Sequence, residues 1–195
     1  MKRIGAVRTR RNLLAAGGLL AGAALSQLGI RQADAQPTLT PTRIACYLRG
    51  THLLTPSGER KIEDLRIGDL VTTLSGEAKP ITWIGRRVYR RPTDSKHPDG
   101  ILPVRVAKGA LGPGAPRCDL FISQQHALLV DGLFIKAIDL VNGSSITVQS
   151  AVEVSEIEYL LVKLARHDVI FAQDAPSETL LVQSGNVERF DNFVE

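Results

Sequence analysis

From residue 46 onward the apolar character of the chain comes in short runs rich in Val, Ile, Thr and Leu, broken by Gly, Pro, Asn or Asp about every eight to twelve residues. That punctuation predicts an all-β domain. No segment after residue 35 has the 3.6-residue periodicity of a long amphipathic helix. Strands are expected at 53–55 and 61–62 around the turn Pro56-Ser57-Gly58-Glu59, at 69–74, 79–85 and 104–106, and from Asp119 to Val130. Further strands are expected at 133–136, 145–149, 158–164 and 169–172, with a short helical turn at 137–140. The stretch from Pro92 to Leu102 reads as a polar surface excursion, and the Gly- and Pro-rich run from Lys108 to Arg117 as a long loop.

An internal repeat narrows the architecture. His52 precedes Gly58 by six residues, as His126 precedes Gly132; Lys61 precedes Leu65 by four, as Lys136 precedes Leu140. Aligned on the glycines, the second copy carries one extra residue between glycine and lysine. Two copies of one strand-rich unit imply pseudo-twofold symmetry.

The stretch from Ile44 to Val71 sets a cysteine, Cys46, at the head of a strand-turn-strand unit, with Gly50-Thr51 four residues on and Gly68-Asp69 near its end. This block resembles the opening of the Hint superfamily, the hedgehog and intein autoprocessing domains, and the resemblance runs to about Gly185. It implies a horseshoe-shaped β-fold of two pseudo-twofold-related subdomains. It also implies that Cys46 attacks the Ala45–Cys46 peptide bond in an N–S acyl shift, giving a thioester.

Such a shift needs a donor to protonate the departing amide nitrogen and groups that polarise the carbonyl. Ser123-Gln124-Gln125-His126 resembles the family's Thr-x-x-His block, which makes His126 the donor and Ser123 the accompanying hydroxyl. The alternative is a turn-capping serine beside a hydrogen-bonded, half-buried histidine. His167-Asp168 resembles the late block that ends near the catalytic cysteine in inteins, so Asp168 is expected as the base and His167 as its support; a plain turn before a strand is the competing assignment. Of the two remaining histidines, His52 reads as structural and His97 as inert. No His or Cys spacing matches a metal site, and no cofactor is implied.

The pair that ends a splicing intein, His-Asn before a nucleophile, has no counterpart: Asn142, Asn186 and Asn192 all lack a preceding histidine. The reaction expected is therefore amino-terminal self-cleavage without splicing, the substrate being the chain's own N-terminal peptide. A different class of function remains open, a non-catalytic exported β-domain serving as a binding or scaffold module, with Cys46 locked to Cys118.

Residues 1–35 have a basic head, an apolar Ala/Gly/Leu-rich run and the small-residue site Ala33-Asp34-Ala35, and Thr9-Arg10-Arg11-Asn12-Leu13-Leu14 resembles a twin-arginine signal. Periplasmic or secreted location is expected, and an N-terminal membrane anchor is the alternative. Residues 36–45 read as a linker, and 186–195 as a tail beyond the 46–185 domain. Six of the 24 Lys and Arg and one of the 20 acids fall within residues 1–35, leaving 18 positive and 19 negative side chains. Without a basic excess the mature chain is not expected to bind nucleic acid. Arg86-Arg87-Val88-Tyr89-Arg90-Arg91 reads as a solvated edge strand or loop.

Overall fold

The computed structural model describes residues 44–91, 97–149, 155–183 and 185–193. The expected signal segment and most of the linker lie outside them. Fourteen strands carry the described chain: β1 (Tyr47–Leu48), β2 (His52–Thr55), β3 (Gly58–Lys61), β4 (Leu70–Thr72), β5 (Ala78–Pro80), β6 (Trp83–Arg90) and β7 (Val104–Val106) in the first half. The second half holds β8 (Leu120–Ile122), β9 (Ala127–Val130), β10 (Leu133–Lys136), β11 (Ile146–Val148), β12 (Glu156–Lys163), β13 (Val169–Ala172) and β14 (Ala175–Glu178). Helix is confined among the described residues to three 3₁₀ turns, at Ile62–Asp64, Asp99–Ile101 and Ala137–Leu140. The domain is all-β, as its punctuation requires.

Two six-stranded sheets, in the orders β11-β7-β8-β1-β12-β6 and β10-β9-β14-β13-β2-β3, account for all strands but the β4-β5 ribbon. Each order reads as its own mirror under one set of strand exchanges: β1 with β8, β7 with β12 and β6 with β11 in one sheet, β2 with β9, β3 with β10 and β13 with β14 in the other. The first copy lends β7 to β8, and the second lends β12 to β1. The local axis runs between Tyr47 and Ile122, which pair with each other across β1 and β8.

The hydrogen bonds set the repeat's register and correct the alignment on glycines. Thr51 N–H donates to Leu48 O at 3.1 Å and His126 N–H to Ser123 O at 3.1 Å; Ile62 N–H donates to Thr51 O at 2.8 Å and Ala137 N–H to His126 O at 2.9 Å. His126 is thus the counterpart of Thr51, not of His52, and Ser123 that of Leu48. The two hairpins are equal in length, with His52 opposite Lys61 and Ala127 opposite Lys136. The glycines misled because Gly58 opens β3, whereas Gly132 sits inside its turn, where Asp131 and Gly132 both have positive φ (50° and 79°) as a type I′ hairpin demands.

Side chains alternate as pleated strands require: in β2 and β13 every second residue is buried. Tyr47, Leu53, Ile122, Leu128, Leu161 and Ile170 are all fully buried, each worth about 1.5–3 kcal/mol relative to exposure. His97, expected to be inert in a polar excursion, is itself buried; Pro92 to Lys96 lie outside the described residues.

β6 is the sheet edge that the arginine run anticipates. Arg86 Nε meets Glu158 at 2.6 Å and Arg90 Nε meets Glu156 at 2.9 Å. The C-terminal segment covers that edge. Asn192 Oδ1 accepts the Arg86 N–H at 2.8 Å while its Nδ2 donates to Ile84 O at 2.7 Å, and Asp191 accepts the Val88 N–H at 2.7 Å. An asparagine side chain here satisfies backbone groups that a neighbouring strand would otherwise claim. Phe190 packs edge-on against Trp83, ring centroids 5.0 Å apart, and both crowd Gly85. A Cβ at Gly85 would lie 2.4 Å from Trp83 Cη2 and 2.5 Å from Phe190 Cδ1. Gly85→Ala is therefore expected to cost about 1–3 kcal/mol by overpacking, read as a lower urea midpoint at unchanged m-value.

Candidate active site at the Ala45–Cys46 bond

The antiparallel register that pairs Tyr47 with Ile122 puts Cys46 opposite Ser123. Ser123 N–H donates to Cys46 O at 2.8 Å, one rung of the ladder. The reciprocal rung is altered. The Ser123 carbonyl is taken by His126 N–H, so the Cys46 N–H donates instead to the Ser123 hydroxyl oxygen at 2.8 Å. That hydroxyl in turn donates to Ile44 O at 2.6 Å. Its proton is thus fixed on Ile44, and a lone pair faces the nitrogen of the Ala45–Cys46 bond. A tight turn that would cap a strand elsewhere here sets a hydroxyl on one chosen amide.

His126 ends the same turn and is fully buried. Its ring stacks obliquely on Tyr47, centroids 4.3 Å apart. Neither ring nitrogen has a hydrogen-bond partner among the described residues. Burial without a partner pulls its pKa down to about 3, so the imidazole is neutral near pH 7. Burial pushes the Cys46 thiol well up, and it is held protonated. Tyr47 is anchored by its hydroxyl, 2.7 Å from Ser177 Oγ and donating to Glu178 O at 3.0 Å. Tyr47 thus ties the cysteine strand to β14.

Ala45 is half-buried and opens on a cavity of about 260 Å³ shared with Gln125, Lys136, Glu178, Arg189 and Phe190. Sequence reasoning missed Glu178, Gln125 and Arg189. Lys136 stood in the repeat but carried no functional signal. Glu178 Oε1 accepts the N–H of Ala127, the residue after His126, at 2.8 Å. Its other oxygen lies 3.5 Å from His167 Nε2.

The neighbouring positions His167 and Asp168 part company. His167 reaches the Glu178 carboxylate. The Asp168 carboxylate is spent on Lys79 Nζ at 2.7 Å and on the Val169 N–H at 2.8 Å, and no described hydrogen bond or ion pair joins it to Cys46. Its place is structural, tying β13 to β5, which corrects the expectation of a base at Asp168. Both thiols are free, so the expected alternative of a Cys46–Cys118 lock is not formed. Among the described residues no three His, Cys, Asp or Glu side chains gather as a metal site would require.

The solution structure of a bacterial intein-like domain from Clostridium thermocellum superposes with a TM-score of 0.52 at 15% identity, covering 71% of this chain and 99% of that one. A DnaB intein from Synechocystis gives 0.46 at 12% identity over 70% and 99% of the two chains, and the gp41-1 intein 0.46 at 14% over 68% and 97%. At such identities the first of these speaks for the fold alone. No curated protein matches the sequence. The sequence profile described as "Hint domain" matches residues 45–184, a span that begins one residue before the buried cysteine and takes in the whole two-copy β-fold; the chain belongs to the Hint domain family.

Proposed function

We propose that this domain processes its own chain at the Ala45–Cys46 bond by an N–S acyl shift, cleaving on the amino side of Cys46 without splicing. Membership of the Hint family supports an autoprocessing function in general. The observation that carries the specific reading is the Ser123 hydroxyl, 2.8 Å from the nitrogen that must leave.

The shift is balanced within the site. Cys46 Sγ forms a bond to the Ala45 carbonyl carbon, the C–N bond breaks, and the thiol proton ends on the freed nitrogen. A neutral imidazole suits this traffic: His126 accepts the proton as sulfur becomes nucleophilic and releases it to the nitrogen as the amide loses conjugation. Burial makes both the thiolate and the imidazolium costly. Neither is stored, and both exist only as the proton passes. As the nitrogen gains a proton it becomes a better donor, and Ser123 Oγ already stands where its N–H points. The shift leaves an amine on Cys46 and a thioester at Ala45, facing the cavity. Export through the twin-arginine-like leader belongs to the same proposal, resting on residues 1–35 of the sequence alone.

Dithiothreitol added to the reduced full-length protein at neutral pH is expected to release a fragment whose new amino terminus is Cys46, at a rate rising with thiol concentration. N-terminal sequencing reads the result. An intact chain after prolonged incubation would remove the proposal.

A further inference from the structure

A thioester at Ala45 needs something to resolve it, and the cavity beside that residue holds a carboxylate that the acyl shift does not use. Glu178 and Ala45 line the same 260 Å³ space, room for several waters at about 30 Å³ each. Glu178 is fixed to the catalytic turn, because Oε1 accepts the N–H that follows His126. Its other oxygen is held loosely, 3.5 Å from His167 Nε2, a buried nitrogen with no hydrogen-bond partner among the described residues. Lys136 lines the cavity from β10 and Arg189 from the C-terminal segment, while the Tyr47 hydroxyl bonds the backbone carbonyl of Glu178 rather than its carboxylate.

We propose that Glu178, braced by His167, is the general base that activates water against the Ala45 thioester, so that the domain hydrolyses its own intermediate. This rests on the acyl-shift reading above. Water oxygen bonds to the Ala45 carbonyl carbon as its proton passes to the Glu178 carboxylate, the C–S bond breaks, and the proton returns to the leaving sulfur. The products are a thiol on Cys46 and a carboxylic acid at Ala45, which gives its remaining proton to solvent. Burial raises the Glu178 pKa above the ordinary carboxylate range, against the lowering influence of the Ala127 N–H, His167 and Lys136. A raised carboxylate is a better base than an exposed one and loses that role at a less acid pH.

The test compares two rates in the reduced full-length protein: hydrolysis in buffer, and cleavage by saturating hydroxylamine, which attacks the thioester without a protein base. At saturation the hydroxylamine rate reads the acyl shift itself, so a fall in hydrolysis at an unchanged hydroxylamine rate lies in the resolving step. In Glu178→Gln, whose amide oxygen still accepts the Ala127 N–H, hydrolysis is expected to fall about 10²–10⁴-fold while hydroxylamine cleavage stays within a few-fold of wild type. The wild-type hydrolysis rate should decline as pH falls through the raised Glu178 pKa, and this acid limb should vanish in Glu178→Gln. Lys136→Met should move the limb to higher pH. Unchanged hydrolysis in Glu178→Gln, or a parallel fall of both rates, overturns the role of Glu178 and leaves the acyl shift standing. Absence of hydroxylamine cleavage in the wild-type protein overturns both.

Discussion

His126→Ala is expected to slow cleavage by saturating hydroxylamine by about 10²–10⁴-fold, because the histidine acts before the thioester exists. The size follows from the site's isolation. With both imidazole nitrogens lacking hydrogen-bond partners among the described residues and Cys46 fully buried, the Ser123 hydroxyl is the one described polar side-chain atom bonded to the Cys46 nitrogen. That hydroxyl already gives its proton to Ile44 O, so it cannot relay a proton without breaking a 2.6 Å bond. The same isolation separates this loss from unfolding. The His126 ring forms no described hydrogen bond, so its removal forfeits packing against Tyr47 rather than a polar network. A variant that stays folded by near-UV circular dichroism yet loses the hydroxylamine rate is the expected outcome. Loss of hydrolysis alone would move His126 to the resolving step.

The fold was legible because strand punctuation and the repeat are both local signals. The repeat's register was not, since sequence shows where a glycine stands but not whether it lies inside a turn or just past one. β14 escaped notice for a related reason. Ala175-Pro176-Ser177-Glu178 has no β-branched residue and contains a proline, which argues against a strand within a sheet. The chain nonetheless turns back through Gln173 and Asp174, at φ 50° and 65°, and pairs on both sides. Missing β14 meant missing Glu178. Two short blocks singled out Cys46, Ser123 and His126, and the strand register sets Cys46 against Ser123. The assignment between His167 and Asp168 depended on which way each side chain leaves the chain, and that was decided by Lys79 and Glu178, residues far away in sequence.

The second large effect concerns the nucleophile. Cys46→Ala removes one buried sulfur and leaves the backbone bonds of Cys46 to Ser123 in place, so the fold is expected to survive and the chemistry to stop. Serine at the same position keeps a nucleophile but a poorer one, and Cys46→Ser is expected to cleave far more slowly through the corresponding ester. Hydroxylamine also attacks Asn-Gly bonds through a succinimide, and Asn142-Gly143 is such a pair; a fragment ending at Asn142 therefore says nothing about the site. The decisive measurement is the mass of the amino-terminal fragment that hydroxylamine releases at neutral pH. The account predicts a fragment ending in Ala45 hydroxamate from wild-type protein and none from folded Cys46→Ala. Release of that hydroxamate at equal rates from both proteins would contradict it.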